Sequence, residues 1–498
     1  MTDNTEKYLS LREQYRSFDY EAYHYQATPE GLRLWFDFRM GDIVFHPTSL
    51  IERRAFLDFT IDGAVLDRLV FDIGMIELIS YWKCACPPVV RVLCGRLDDS
   101  QVAFWRKLYW HGLGEFFYIN GIAESQEGFL QVESGEWKVE GDSELHASAQ
   151  LSTFNFQHST QYLVPVGGGK DSVVTLELLR RAGKTIRPLI MNPRGATVEC
   201  ARVAGFAMDE VLVIRRTIDP MLLDLNSKGY LNGHTPFSAM LAFYCRLAAA
   251  LSGISNVALS NENSANESTV RDSYVNHQYS KSLEFEDDFR EYCVNAATCK
   301  CVSADAPATD AITHSRNNAF TQSHINALTQ SYENAFNYFS FLRPLSELQI
   351  AMLFSRFTQY HNVFRSCNAG SKQDIWCGHC AKCLFAYIIL SPFIEPARLN
   401  QIFGKSMLDD ATLEHEFRQL IGEAETKPFE CVGTVGEVRQ ALAMACERWY
   451  KENKPKLVQL EKLDKLEKPV QLDHLSPIGN LTEEERQILQ AACTEKNN

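Results

Sequence analysis

The sequence predicts an α/β protein: a parallel sheet with crossover helices, preceded by an α+β module and followed by a helical part that carries four clustered cysteines. Three observations lead there. From Gln161 onward, short apolar runs alternate with helix-length stretches, the pattern of strands joined by crossover helices. Before Gln161, residues 31–38 and 55–61 alternate apolar and polar side chains, as half-buried antiparallel strands do. At Val166-Gly-Gly-Gly-Lys-Asp-Ser172, an apolar run breaks into three glycines where a helix begins.

Residues 1–150 form the leading module. Its strands are expected at 31–38 and 55–61, and its helices at 72–83, ended by Pro87 and Pro88, and at 101–109. Residues 151–292 hold the parallel sheet, with strands at 162–166, 186–191, 210–215 and 256–260 and helices at 171–182, 196–204 and 236–252. Ligands of such sheets bind at the carboxyl ends of the strands. The ends at Gly167, Asn192, Arg216 and Asn261 are therefore expected to converge on one crevice. Residues 293–335 are rich in Ala, Asn, Thr and Ser with few large apolar groups, the composition of a flexible insertion. Regular structure is expected again over 338–344 and in a helix over 346–356. The part 336–440 carries the cysteine cluster, and 441–498 reads as a helical tail whose Lys/Glu-rich amphipathic stretch, 457–466, suits docking.

The chain has 498 residues and a formal net charge of −14 at pH 7. That balance argues against a broad nucleic-acid footprint but leaves room for a small basic pocket around an anionic metabolite. The polar start, Met1-Thr-Asp-Asn-Thr-Glu-Lys7, has no secretory h-region, and the longest apolar run, 384–394, is too short for a bilayer. Cytoplasmic residence without membrane contact is the expectation. Fifteen cysteines, an odd number without a secretory signal, argue against a disulfide framework. The oligomeric state is left open.

The glycine loop has the composition of a phosphate cradle. Glycine lets backbone approach an oxyanion closely, and a helix start directs unpaired N–H groups and its positive dipole end at it. It is not a Walker A loop, which needs Gly, four residues, Gly-Lys and then Ser or Thr, because Val164 stands at the first glycine and Asp171 follows the lysine. Gly168, Gly169 and Ser172 are the candidate pyrophosphate donors, Lys170 adds charge, and Asp171 orients the loop or a Mg²⁺. A second constellation is Cys367 with Cys377-Gly-His-Cys380-Ala-Lys-Cys383. Four thiolates at this spacing suit one tetrahedral structural Zn²⁺, with an iron–sulfur cluster as the alternative. Third, polar residues crowd the segments 231–237, 259–267, 276–282 and 427–434. At strand ends such density suits substrate recognition. His234, His277, Lys281 and Cys431 are its acid–base candidates, and Glu262 and Glu267 are candidate bases or metal ligands.

The loop resembles the Ser-Gly-Gly-x-Asp-Ser pyrophosphate loop of N-type ATP pyrophosphatases, with Gly167 where that loop usually has Ser. That resemblance implies cleavage of ATP between its α and β phosphates, adenylation of a substrate, and adenosine held in part by Met191 and Asn192. Longer segments resemble one family in particular, the MurL-type epimerases. They include 73–83, 112–118, Asn232-Gly-His-Thr-Pro-Phe-Ser238, Ser260-Asn-Glu262, Asn276-His-Gln-Tyr-Ser-Lys-Ser282, Trp376-Cys-Gly-His-Cys380 and Lys427-Pro-Phe-Glu-Cys-Val-Gly-Thr434. Membership implies inversion of the terminal L-Glu of a UDP-muramoyl dipeptide, using ATP and Mg²⁺ and releasing AMP and pyrophosphate. Adenylation removes the carboxylate charge that would otherwise oppose deprotonation of the α-carbon. The alternatives are another adenylating enzyme, either a nucleobase synthase or a tRNA-modifying pyrophosphatase, or a non-catalytic ATP- or zinc-binding regulator.

Overall fold

The computed structural model describes residues 3–134, 160–296, 336–459 and 471–495. Most of the expected insertion over 293–335, and most of the amphipathic stretch over 457–466, lie outside the described residues.

Eleven strands form one mixed, mostly parallel sheet. In chain order they are β1 (Ser17–Thr28), β2 (Gly31–Met40), β3 (Ile43–Phe45), β4 (Thr48–Glu52), β5 (Val89–Val92), β6 (Gln131–Ser134), β7 (Gln161–Pro165), β8 (Thr185–Met191), β9 (Leu212–Arg216), β10 (Asn256–Leu259) and β11 (Asn337–Ser340). The spatial order is β11-β10-β7-β8-β9-β4-β2-β1-β5-β6, with β3 beside β2. The run β11 to β9 is parallel throughout. Its crossover helices, Lys170–Arg181, Gly195–Val203 and Phe237–Ser252, lie within a residue or so of the expected positions. At β9 the direction reverses: β4 pairs antiparallel with it, Ile51 opposite Ile214. The segments 1–150 and 151–292 thus share one sheet.

Strand periodicity sorts side chains into two cores. Leu163, Leu212, Ile214 and Val257 face a core built with the helices Gly63–Trp82 and Phe237–Ser252. Their neighbours Val164, Val213 and Ala258 face the opposite core, with the helices Lys170–Arg181, Glu347–Ser355 and Ala381–Leu390. Alternate residues point to opposite sides of a strand, so helices cover both faces of the parallel run.

One expected strand is absent. Residues 55–61 form turns, and the strand lies earlier, at β4. The Asp58 carboxylate accepts from Thr60 N at 2.8 Å and Thr60 Oγ1 at 2.6 Å. This local side-chain bonding competes with a ladder, and an alternating pattern cannot register it.

Within the first core, Asp72 accepts from Arg246 Nη1 at 2.7 Å, Arg68 Nε at 3.2 Å and Tyr292 Oη at 2.7 Å, all buried. Asp72→Asn removes a carboxylate that two guanidiniums share. Breaking a buried ion pair from one side costs about 3 kcal/mol, and a lowered urea midpoint at unchanged slope is the expected reading.

Candidate functional site

The glycine loop lies where the sequence places it, between β7 and the helix Lys170–Arg181. Gly169 is the residue before that helix, and no side chain caps it. The helices Gly195–Val203, Phe237–Ser252 and Ala381–Leu390 also start without a side-chain cap from the residue before them; here the first N–H groups have no side-chain acceptor and could serve a ligand. Gly168 has φ +80°, and a Cβ there would lie 3.0 Å from Ala196 and from Thr197 N. The loop therefore presses on the start of the helix Gly195–Val203. Arg365 N donates to Gly168 O at 2.8 Å, and Ser172 Oγ donates to Gly169 O at 3.1 Å. Gly167 differs: a Cβ there meets nothing within 4 Å. Gly167→Ser should fold normally and add one hydroxyl donor; if the loop takes ATP, that donor is worth about 1 kcal/mol of affinity, and a KM for ATP unchanged or raised would refute the gain.

Lys170 turns inward and is buried, with Asp171 at 2.5 Å and Glu347 in direct contact. Burial opposes the Lys170 charge, but the two carboxylates outweigh it and raise its pKa. Burial also acts against an Asp171 anion, yet Lys170 and Lys382 hold its carboxyl down. Burial pushes the Glu347 carboxyl up. Glu347 N in turn donates to Glu437 Oε1 at 2.7 Å, and Glu437 is the partner of Thr434 in the capping box of the helix Val435–Trp449.

The four acid–base candidates come together. Thr426 bridges Val270, and Lys427 N donates to Thr269 O at 3.1 Å. His277 N donates to Thr269 Oγ1 at 2.9 Å, and Gln278 Nε2 to Val432 O at 3.1 Å. Zipped in this way, the 427–434 segment brings Cys431 within the electrostatic influence of His277 and Lys281. Burial would raise the Cys431 thiol, but Lys281 and His277 overcome it and bring the pKa down to about 5. Burial opposes the His277 charge, and hydrogen bonds to Cys431 and Glu115 raise it to about 9. His234 lies behind, its ring centroid 4.6 Å from that of His277 and its Nδ1 3.3 Å from Glu115 Oε2. Burial, with the His277 and Lys83 charges, lowers it to about 3, so it stays neutral. Glu115, His234 and His277 have ligand atoms within 4.8 Å of one another, as a metal site would. Here they bond to each other, both Nδ1 atoms facing the same Glu115 oxygen.

Lys281 and Lys382 each act on both Asp171 and Cys431, so the same two cations face the glycine loop and the thiol. Arg343, fully buried, fixes this side by donating to Glu262 O at 2.7 Å and Lys281 O at 2.6 Å. Glu267 is on the surface, paired with Lys427 at 2.5 Å. Met191 and Asn192 end β8; the Asn192 amide oxygen accepts from Arg216 N at 2.8 Å and joins two strand ends.

Residue types alone missed Glu115, Glu347 and Lys382. Glu115 lies in the quoted 112–118 segment and Lys382 inside the cysteine motif, whereas Glu347 reads only as an acidic residue at a helix start.

Cys367, Cys377, Cys380 and Cys383 converge, with sulfur atoms within 4.8 Å of one another. Three pairs are 3.9, 3.7 and 3.5 Å apart. Zinc–sulfur bonds of about 2.3 Å place tetrahedral sulfurs about 3.8 Å apart, so the cluster fits such an ion. His379 is turned aside, its Nδ1 2.9 Å from Cys377 O. The described cysteines are all free thiols, and no described helix is long and apolar enough to cross a membrane.

Residues 10–302 match the MurL N-terminal domain and 363–473 the MurL C-terminal domain. Three relatives are each called UDP-N-acetyl-alpha-D-muramoyl-L-alanyl-L-glutamate epimerase. The Salinispora tropica protein is 34% identical over 77% of this chain and 74% of its own. That of Xanthomonas oryzae pv. oryzae is 34% identical over 78% of each, and that of a Micromonospora species 33% over 77% and 76%. No solved structure matches the chain. By both its domains and its relatives, the chain belongs to the MurL family.

Proposed function

We propose that this protein inverts the terminal L-Glu of UDP-MurNAc-L-Ala-L-Glu to D-Glu in peptidoglycan precursor synthesis, by way of an acyl-adenylate, with release of AMP and pyrophosphate. The reaction class follows from the family. The ATP-driven route is supported by one observation: a glycine-lined helix start without a side-chain cap, whose Asp171 shares the cations Lys281 and Lys382 with Cys431. The loop N–H groups and Ser172 bind the phosphates. Met191 and Asn192 sit at the adenosine end of the crevice, and Asp171 is the carboxylate offered to Mg²⁺. Lys281 and Lys382 counter the charge between loop and substrate carboxylate. The four cysteines hold a structural zinc ion.

The decisive experiment incubates the protein with this dipeptide precursor, ATP and Mg²⁺, followed by chiral analysis of glutamate and assay of AMP. D-Glu with AMP supports the reading. AMP formed only with a nucleobase precursor or a tRNA points to a different adenylating enzyme, and ATP binding without turnover on any of them to a regulator.

The reading also fixes a pH profile. Cys431 must be a thiolate and is protonated as pH falls through about 5; His277 must carry its proton and loses it as pH rises through about 9. kcat/KM should be flat between these limits and fall roughly tenfold per unit beyond each.

A further inference from the structure

We propose that Glu115, His234 and His277 form a second metal site, separate from the four cysteines, for a divalent transition ion such as Zn²⁺ or Co²⁺, and that an ion there switches off inversion. The site stands on geometry alone. The switching rests on the function proposed above, in which His277 carries a proton.

Two imidazoles and one carboxylate are the protein ligands of an open zinc site, with a position left for water or another ligand. The three ligand atoms lie within 4.8 Å of one another. His234 Nδ1 is 3.3 Å from Glu115 Oε2, and zinc bonds of about 2.1 Å place tetrahedral ligands about 3.4 Å apart. His277 Nδ1 is in hydrogen-bond contact with the same oxygen, and the two must part to that separation. The histidine ring centroids are 4.6 Å apart with their planes at 53°, so the rings converge on the carboxylate without stacking.

Separate segments hold the three ligands. Glu115 lies in the first turn of the helix Gly114–Ile119, which buried Phe116 anchors. The loop around His234 is tied on both sides: Asn120 Nδ2 donates to Asn232 O at 3.2 Å, and Lys83 Nζ to Thr235 Oγ1 at 2.6 Å. His277 N donates to Thr269 Oγ1 at 2.9 Å, and Asn276 Nδ2 to Ala265 O at 2.9 Å. Outer bonds of this kind keep ligands in place for a metal. The Glu115, His234 and His277 side chains are 11%, 20% and 11% exposed, so an ion can enter a site that stays shielded.

The donors select the ion. Imidazole nitrogen suits zinc and its neighbours, whereas Mg²⁺ takes oxygen ligands. The switch follows from one lone pair. An ionised carboxylate only accepts hydrogen bonds, so the proton between Glu115 Oε2 and His277 Nδ1 belongs to the histidine. A metal takes the Nδ1 lone pair instead, and that proton leaves to solvent. With the ion bound, His277 cannot carry the proton that inversion needs, while the glycine loop keeps its donors.

The test titrates the full chain, loaded with one equivalent of Zn²⁺ for the four cysteines, with Co²⁺. A further equivalent should bind with the weak visible bands of nitrogen and oxygen ligands, without the strong near-ultraviolet absorbance of cobalt–thiolate bonds. His234→Ala, His277→Ala and Glu115→Gln should each weaken that equivalent roughly a hundredfold or more, since losing a ligand costs at least what losing its supporting bond does. Retained zinc and an unchanged urea midpoint show that each variant is folded. In the wild type with excess Mg²⁺, Co²⁺ at about ten times its dissociation constant should cut D-Glu formation roughly tenfold and leave ATP–pyrophosphate exchange within about threefold. A cobalt spectrum of thiolate type alone, or a further equivalent indifferent to all three substitutions, overturns the site. An equivalent that fills without slowing D-Glu formation overturns the switch and spares the site. If the protein makes no D-Glu from the precursor before Co²⁺ is added, the proposed function falls and the switch with it, and the cobalt titration alone decides the site.

Discussion

Lys170→Ala is expected to lower AMP formation roughly a thousandfold and to cost the fold about 3 kcal/mol. Both effects come from one ammonium. Lys170 stands at the first position of the helix behind the glycine loop, buried, and balances Asp171 and Glu347. Without it, two carboxylates face each other in a region that also contains Glu262 and Glu437. The loop then presents negative charge where the phosphates should dock. The two losses can be separated. Glu347→Gln in the Lys170→Ala background replaces the buried carboxyl that has lost its partner by an amide of the same shape, so stability should recover most of the deficit and AMP formation should not. Urea midpoints and ATP–pyrophosphate exchange measure the two quantities on the same samples. If the double variant regains exchange, Lys170 acts only in folding.

The parts of this site legible in the sequence are those whose chemistry is local in the chain. The loop could be read because glycines, an apolar run and a helix adjoin one another. The cysteine cluster could be read because three of its four sulfurs lie within seven residues, 377–383. His234, His277, Lys281 and Cys431 could be named by residue type, but nothing in their spacing shows that the 427–434 segment zips onto 269–270. Glu347 becomes visible only when its helix packs against the loop helix, some 177 residues away. The strands were legible wherever burial on both faces made continuous apolar runs, as in β7 to β10. The segment 55–61 misled because alternation cannot register Asp58 bonding to its own turn. The continuity of the sheet across β4 and β9 depends on a long-range pairing of short strands, for which the chain carries no local signal.

If the four cysteines hold a metal, as their spacing allows, its loss should disable the enzyme through the loop that carries them. Residues 365–383 run from the glycine loop towards the cluster that contains Cys431. Arg365 N holds Gly168 O, and the Asp374 carboxylate accepts from Ala196 N at 2.8 Å, fixing the helix start on which Gly168 leans. Asn368 Nδ2 donates to Glu430 Oε2 at 2.7 Å, next to Cys431. Lys382 lies between Cys380 and Cys383 in the chain and acts on both Asp171 and Cys431. Little regular structure supports this loop, since it is mostly turns until the helix Ala381–Leu390 begins; an ion at the four sulfurs would be its main anchor. Cys380→Ser should therefore abolish stoichiometric metal and cost on the order of 5 kcal/mol, with precursor-dependent AMP formation lost as well. Cys446→Ser, a substitution outside the cluster, should do none of these. Metal analysis and thiol titration of the native protein give the independent readout. One zinc per chain with four protected thiols is the expected result, visible absorbance with iron would replace zinc by an iron–sulfur cluster, and four freely titrating thiols in an active enzyme would remove the metal from the account.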